Sequence, residues 1–231
     1  MFEISPTEWT AILLSLRVAI VATLVATPLG IALAWLLARR DFWGKSVLDA
    51  LVHLPLVLPP VVTGYLLLLT LGRRGFLGAW LADHLGIVFA FRWTGAALAC
   101  GVMSFPLLVR PIRLSIEAVD RRLEQAAGTL GAAPWQVFLT VTLPLALPGV
   151  LAGMVLGFAK AIGEFGATIT FVSNIPGQTQ TISSAIYSLI QTPDGDLAAM
   201  RLVIISIVIA MGALVASEWF ARRATRRLHG N

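Results

Sequence analysis

Lys160 and Glu164 lie four positions apart inside the apolar run Leu145–Val172. On a continuous helix that spacing puts both on one face. Ionisable side chains at membrane depth are costly, and they face a bundle interior or an aqueous cavity. Three readings are open to the pair: a self-neutralising ion pair, a pair near the membrane surface, or a gate on a pathway. The other reactive groups exclude several functions. His53, His84 and His229 stand in different segments, and neither His-Glu-x-x-His nor Gly-x-Ser-x-Gly occurs. A haem-bearing subunit needs paired axial ligands within spans, and His53 has no evident partner. Cys100 is the single cysteine and lies in an apolar run, so there is no disulfide framework and no metal cluster. No Gly-x-x-x-x-Gly-Lys-Ser/Thr is present, so the chain holds no nucleotide of its own. These residues describe no enzyme and no bound cofactor or metal.

The elements that must position the pair follow from composition. The chain has 231 residues, 58% hydrophobic and only 13% charged. Soluble domains carry about 25% charged residues. Unbroken apolar runs select membrane-spanning helices rather than a barrel of alternating strands. The fold class is all-α, a polytopic membrane bundle of about five to six transmembrane helices in one domain, 1–231, with its core at about 8–221. The net charge of +5 belongs to cytoplasmic loops and implies no nucleic acid.

The first span lies within the apolar run Trp9–Leu37, broken only by Arg17, and Val18–Ala38 alone suffices to cross. That run is too long for a cleaved signal peptide. A second span covers about Ala50–Leu71; Pro55, Pro59 and Pro60 free backbone carbonyls there, which places this stretch near a transport path or at a plain kink. A short amphipathic helix is expected around Trp80–Leu85, and a third span over about Trp93–Val109. The fourth is read as Leu145–Val172. Its Gly149, Gly153 and Gly157 form a small-residue packing face that suits either a bundle or a dimer. Residues Thr181–Ile190 are too short to span and suit a re-entrant or interfacial helix, and the last span covers about Leu202–Phe220. With the N-terminus outside, eleven of the seventeen basic residues fall on inside segments and four on outside ones. The tail residues Arg222, Arg223, Arg226 and Arg227 are among the eleven. This places the C-terminus in the cytoplasm.

One cytoplasmic segment is unlike the rest. Glu124–Pro144 reads EQAAGTLGAAPWQVFLTVTLP, polar and small between very apolar neighbours. Leu123–Ala127 favours a helix; Gly128 and Gly131 weaken it, and Gly131 can take the positive φ of a helix end. Pro134 suits the first turn of a second helix, to which Trp135, Val137, Phe138 and Val141 give apolar contacts. The result is a helix-turn-helix whose nearly bare first helix another protein could approach closely.

This segment resembles the EAA loop of ABC importer membrane subunits, Glu-Ala-Ala, three residues, Gly, nine residues, Ile-x-Leu-Pro. Ala126, Ala127, Gly131, Val141, Leu143 and Pro144 match; Gln125 stands where the pattern has Glu, and Glu124 lies one position earlier. The runs HLPLVLPPVVTGYLLL, MSFPLLVRPIRLSIEAVD and GEFGATITFVSNIPGQTQTI are similar to the molybdate permease subunits of bacterial ABC importers. Sulfate permeases share the GEFGA and SFPL pieces; the short length and the LIQTP at Leu189–Pro193 favour the molybdate branch. Sulfate, thiosulfate and tungstate remain the alternative cargoes.

The resemblance implies a type I-like permease in the bacterial inner membrane, a homodimer among lipid. It implies two ATPase subunits carrying ATP and Mg on the cytoplasmic side and a periplasmic molybdate-binding protein on the other. It makes 110–144 the cytoplasmic coupling loop. Glu124, Gln125, Ala126, Ala127, Gly131, Pro134, Trp135, Leu143 and Pro144 become its ATPase-coupling residues. For a dianion crossing a low-dielectric region, backbone donors, helix N-termini and hydroxyls are expected rather than an arginine cage. Ser104, Thr168 and Thr170, with Lys160 and Glu164, are the pathway or gate residues of that reading.

Overall fold

The computed structural model describes the backbone of residues 4–228 and the side-chain surroundings of residues 4–216. Helix α1, Pro6–Arg39, starts at a capping box. Ser5 Oγ accepts the Glu8 N–H at 3.2 Å and Glu8 Oε2 accepts the Ser5 N–H at 2.6 Å. Its 34 residues extend for about 51 Å, so both ends project beyond a hydrocarbon layer about 30 Å thick. Arg17 remains at the surface, stacked 3.7 Å above the ring of Trp93.

The expected second span is two helices, not one. α2 covers Lys45–Val57, α3 covers Pro60–Leu71, and their axes differ by 114°. Leu58 precedes a proline and is extended, with ψ at 143°, because the pyrrolidine ring disfavours a helical conformation before it. Pro60 then occupies the first turn of α3, where no backbone donor is required. α4, Phe76–Leu85, begins four residues before the expected Trp80. α5, Trp93–Ala118, runs past the expected end at Val109, through Pro106 and Pro111, and carries Arg110 and Arg113 out of the apolar zone.

The cytoplasmic segment folds as α6, Arg121–Thr129, and α7, Pro134–Val137. A π-helical turn, Phe138–Thr142, joins α7 without a gap to α8, Leu143–Ile162. Within it the Leu143 N–H donates five residues back, to the Phe138 carbonyl. The expected fourth span Leu145–Val172 is therefore corrected at both ends. It begins earlier and stops at Ile162, and α9, Gly166–Val172, is a separate short helix. Gly163 weakens the helix, and the Glu164 side chain takes the Ala167 N–H at 3.0 Å, a bond the backbone would otherwise make. α10, Ile182–Leu189, is too short to cross, as its sequence implied, and α11 covers Asp196–Leu228. Arg222, Arg223, Arg226 and Arg227 lie beyond the described side chains, and His229 beyond the described residues.

Four helices are long and apolar enough to cross a membrane, or five if the bent α2–α3 pair counts as one. Small residues set the spacing at the centre. Ala19, Ala22, Ala26, Gly30 and Ala34 line the buried face of α1. The stripe on α8 packs inside this chain, against α5. A Cβ at Gly153 would lie 2.5 Å from the Leu108 carbonyl oxygen, and one at Gly149 would lie 2.6 Å from that of Pro111.

Candidate functional site

Two regions carry the polar chemistry, one on the cytoplasmic segment and one within the membrane. On the cytoplasmic side Asp120 caps α6, accepting the Arg122 N–H at 2.9 Å. Gly131 ends the turn at φ +88°, a conformation a side chain would strain. Gln136 Oε1 accepts the Ala133 N–H at 2.7 Å and fixes the start of α7. No residue of α6 is buried. Gln125 and Ala126 are exposed, Ala127 is half-buried, and Pro134 is exposed. Leu130 and Trp135 stand out at 89% and 64% exposure, so apolar side chains project from this face. Leu143 is half-buried at the start of α8, and Pro144 follows it.

Behind this surface, Arg39 at the end of α1 reaches Glu124. Its Nε and Nη2 donate to Glu124 Oε1 at 3.2 and 3.0 Å. The same Nη2 donates to the Val119 carbonyl at 3.1 Å, and Thr142 Oγ1 donates to Glu124 Oε1 at 2.6 Å. A cleft of about 380 Å³ lies here, lined by Trp35, Arg39, Arg40, Arg121, Glu124 and Gln125 among others. Nearby, Arg113 donates to Asp49 at 2.9 Å and to Glu117 at 2.8 Å, tying the start of α2 to the end of α5. In the loop after α1, Lys45 hydrogen-bonds Asp41 and holds its carboxyl below the ordinary value.

In the membrane the structure brings together two features that are distant in sequence, the α2–α3 bend and the α8–α9 break. A Cβ at Gly166 would meet Pro60 Cβ at 2.7 Å, and one at Gly64 would meet the Ala167 carbonyl oxygen at 2.5 Å. The N-terminal turns of α3 and α9 are thus in close contact. Lys160 and Glu164 flank the break; Nζ donates to Oε2 at 2.8 Å, with Lys160 30% exposed and Glu164 2%. Glu164 has a double task, partner to Lys160 and acceptor for the Ala167 N–H. The freed carbonyl of Ile162 accepts from Ser183 Oγ at 3.3 Å.

The hydroxyls of the sequence reading are engaged by backbone. Thr168 donates to the Phe165 carbonyl at 2.8 Å, Thr170 to that of Gly166 at 2.8 Å, and Ser104 to that of Gly101 at 3.3 Å. Ser104 is fully buried on α5. Thr63, on α3, is the buried hydroxyl at this contact without a hydrogen-bond partner among the described residues. Sequence reasoning missed Arg39, Thr142, Thr63, Gly64 and Gly166. The two glycines flanking Glu164 and Phe165 were the one local sign of a break.

On the outer side Arg201 Nη2 donates to Glu8 Oε1 at 2.8 Å, joining the beginnings of α11 and α1. Burial pushes the Glu8 carboxyl up, but hydrogen bonds from the Ser5 backbone and Arg201 outweigh it and hold the group below its ordinary value.

Comparison with known proteins places this geometry. Residues 26–228 match the family described as "Binding-protein-dependent transport system inner membrane component". The chain is 63% identical to a "Molybdenum transport system permease protein ModB" of Escherichia coli, over 95% of this chain and 96% of that one. It is 57% identical to the protein so named in Haemophilus influenzae, over 96% of each. Among solved structures, a bacterial alginate ABC transporter in complex with an alginate pentasaccharide-bound periplasmic protein superposes with a TM-score of 0.70. The identity there is 20%, over 98% of this chain and 81% of that one, a likeness of fold.

Proposed function

The chain belongs to the family of binding-protein-dependent transport system inner membrane components, and from that membership we propose that it is the permease subunit of an ABC importer that carries molybdate across the inner membrane. The near-full-length identity to the molybdenum transport permease of Escherichia coli carries the reading. The chain is not an enzyme; ATP and Mg are bound and ATP is hydrolysed on a partner subunit. Two copies form a homodimer, two ATPases dock beneath it, and a periplasmic molybdate-binding protein delivers the anion from outside. The N-terminus lies in the periplasm and the C-terminus in the cytoplasm, in keeping with the bias of basic residues.

The mechanism is a rigid-body switch between two states of the bundle. The exposed surface of α6, with Leu130 and Trp135 beside it, rests in a groove of the ATPase. Closure of the two ATPases on ATP draws the paired α6 helices together and opens the spans outward. The anion then passes where the N-terminal turns of α3 and α9 meet, since helix N-termini favour negative charge without committing a fixed cation. The Lys160–Glu164 pair keeps that break close to neutral, so a dianion is neither trapped nor strongly repelled.

The test is ATP-dependent uptake of labelled molybdate into liposomes holding the chain with its ATPase and binding protein. Sulfate is the competitor, and wild type is compared with Gly131→Pro. Proline cannot adopt the φ of +88° at that turn. Uptake that resists excess sulfate, and is lost in an assembled Gly131→Pro complex, is the expected result. Uptake displaced by sulfate moves the cargo to the sulfate branch. Unchanged uptake in the variant removes the coupling role of the segment.

A further inference from the structure

α6 is held in a way its own composition does not explain. It buries no residue, so apolar packing does not fix it to the bundle. Leu123 is 49% exposed and Leu130 89%, and both side chains project outward. The polar anchor is a single carboxylate oxygen. Glu124 Oε1 accepts Nε and Nη2 of Arg39, the last residue of α1, and Oγ1 of Thr142, in the turn that opens α8. The partners lie 85 and 18 positions away in the chain, so the contact joins three separate elements. The side chains of Arg39 and Glu124 are only 9% and 18% exposed, and Thr142 is 1% exposed. Charge-assisted hydrogen bonds sheltered from water in this way are the strong kind. Successive helix residues point about 100° apart. Gln125 is correspondingly exposed beside the inward-facing Glu124. The turn that holds Thr142 is π-helical and has looser hydrogen bonding than the α-helix it feeds, so an external clamp matters there.

We infer that Glu124 is a positioning residue that clamps the coupling helix α6 to α1 and α8 at once, so that a displacement of α6 by the ATPase moves both spans. Without the clamp, α6 would shift on the two loops that tether it, and ATP-driven motion would be spent within the segment. This deepens the reading of the chain as an ABC permease and rests on it.

The experiment compares wild type, Glu124→Gln, Thr142→Val and Arg39→Lys, each as the full complex in liposomes with binding protein and ATPase. It measures molybdate taken up per ATP hydrolysed, and complex assembly by size-exclusion chromatography. Wild type must first show ATP-driven uptake; if it shows none, the permease reading itself fails, and that result is separate from the clamp. The expected result is a fall of about tenfold in uptake per ATP for Glu124→Gln, comparable to losing the charge from one network of hydrogen bonds. Thr142→Val, which removes only one donor, should fall less, and Arg39→Lys, which loses the two-pronged geometry, should fall between. A purely structural role would lower uptake and hydrolysis in proportion and leave the ratio at the wild-type value; that outcome overturns the inference. If Glu124→Gln does not assemble, the ratio in the two milder variants decides, and a wild-type ratio in both overturns it.

Discussion

Replacing Lys160 with methionine should destabilise the protein by about 2–3 kcal/mol. Glu164 is 2% exposed and has the ammonium of Lys160 at 2.8 Å as its cationic partner. Removing one member of a buried pair typically costs about 3–5 kcal/mol, because a charge is left uncompensated. Lys160 is 30% exposed, so water already screens part of the attraction, and the lower figure follows. The sign of the second step is the sharper test. Glu164→Gln on the Lys160→Met background removes the stranded charge, while the amide oxygen can still accept the Ala167 N–H. The double variant should therefore be more stable than Lys160→Met alone, a non-additivity that identifies a coupled pair. The assay is unfolding by SDS in mixed micelles, followed through the fluorescence of the seven tryptophans. If Lys160→Met lies within about 0.5 kcal/mol of wild type, the pair contributes little. If the second substitution destabilises further, Glu164 acts through its cap alone and the argument from charge is refuted.

Two further outcomes follow from the packing and from the outer ion pair. Gly153→Val places a side chain where the Leu108 carbonyl oxygen would be 2.5 Å from Cβ, so α8 must move off α5; a loss of about 1–3 kcal/mol or more is expected in the same unfolding assay. Glu8 titrates below its ordinary value of 4.5 in the folded protein, so its contribution is complete above pH 4.5 and is lost as pH falls through the lower folded value. Wild type should thus lose stability between pH 5 and pH 3 by more than Glu8→Gln does, and equal losses would show that the Arg201 contact carries no pH-dependent stability.

The two regions divide labour in a way that suits a transporter. The cytoplasmic platform presents an exposed helix backed by a buried polar clamp, so it can receive force at its surface and hold position behind it. The membrane break offers two helix starts in contact beside a neutralised ion pair, so it can pass an anion without holding it. The tie between Asp49, Arg113 and Glu117 links the bent α2–α3 pair to α5, whose far face packs on the glycines of α8. Movement of α8 is therefore felt at the bend through a chain of direct contacts.

The sequence alone determined what is local. Runs of apolar residues set the number and type of membrane elements, because each span must satisfy its own backbone hydrogen bonds. Asp120, Gly131 and Pro134 marked the coupling helix and its turn, because capping and positive φ depend on neighbouring residues only. The short stretch ending near Ile190 was visible as too short to cross, for the same reason of length. Tertiary structure decided the rest. Lys160 and Glu164 read as one face of a continuous span, yet the helix stops at Ile162. There the Glu164 side chain, Ser183 and the neighbouring α3 accept or cover what the break leaves open. The glycine stripe could have served a bundle or a dimer, and only the approach of Leu108 and Pro111 shows that it serves this chain's own α5. The junction of Arg39, Glu124 and Thr142 joins three segments through side chains alone. No propensity or period encodes such a junction, because its free energy arises only after the helices have packed.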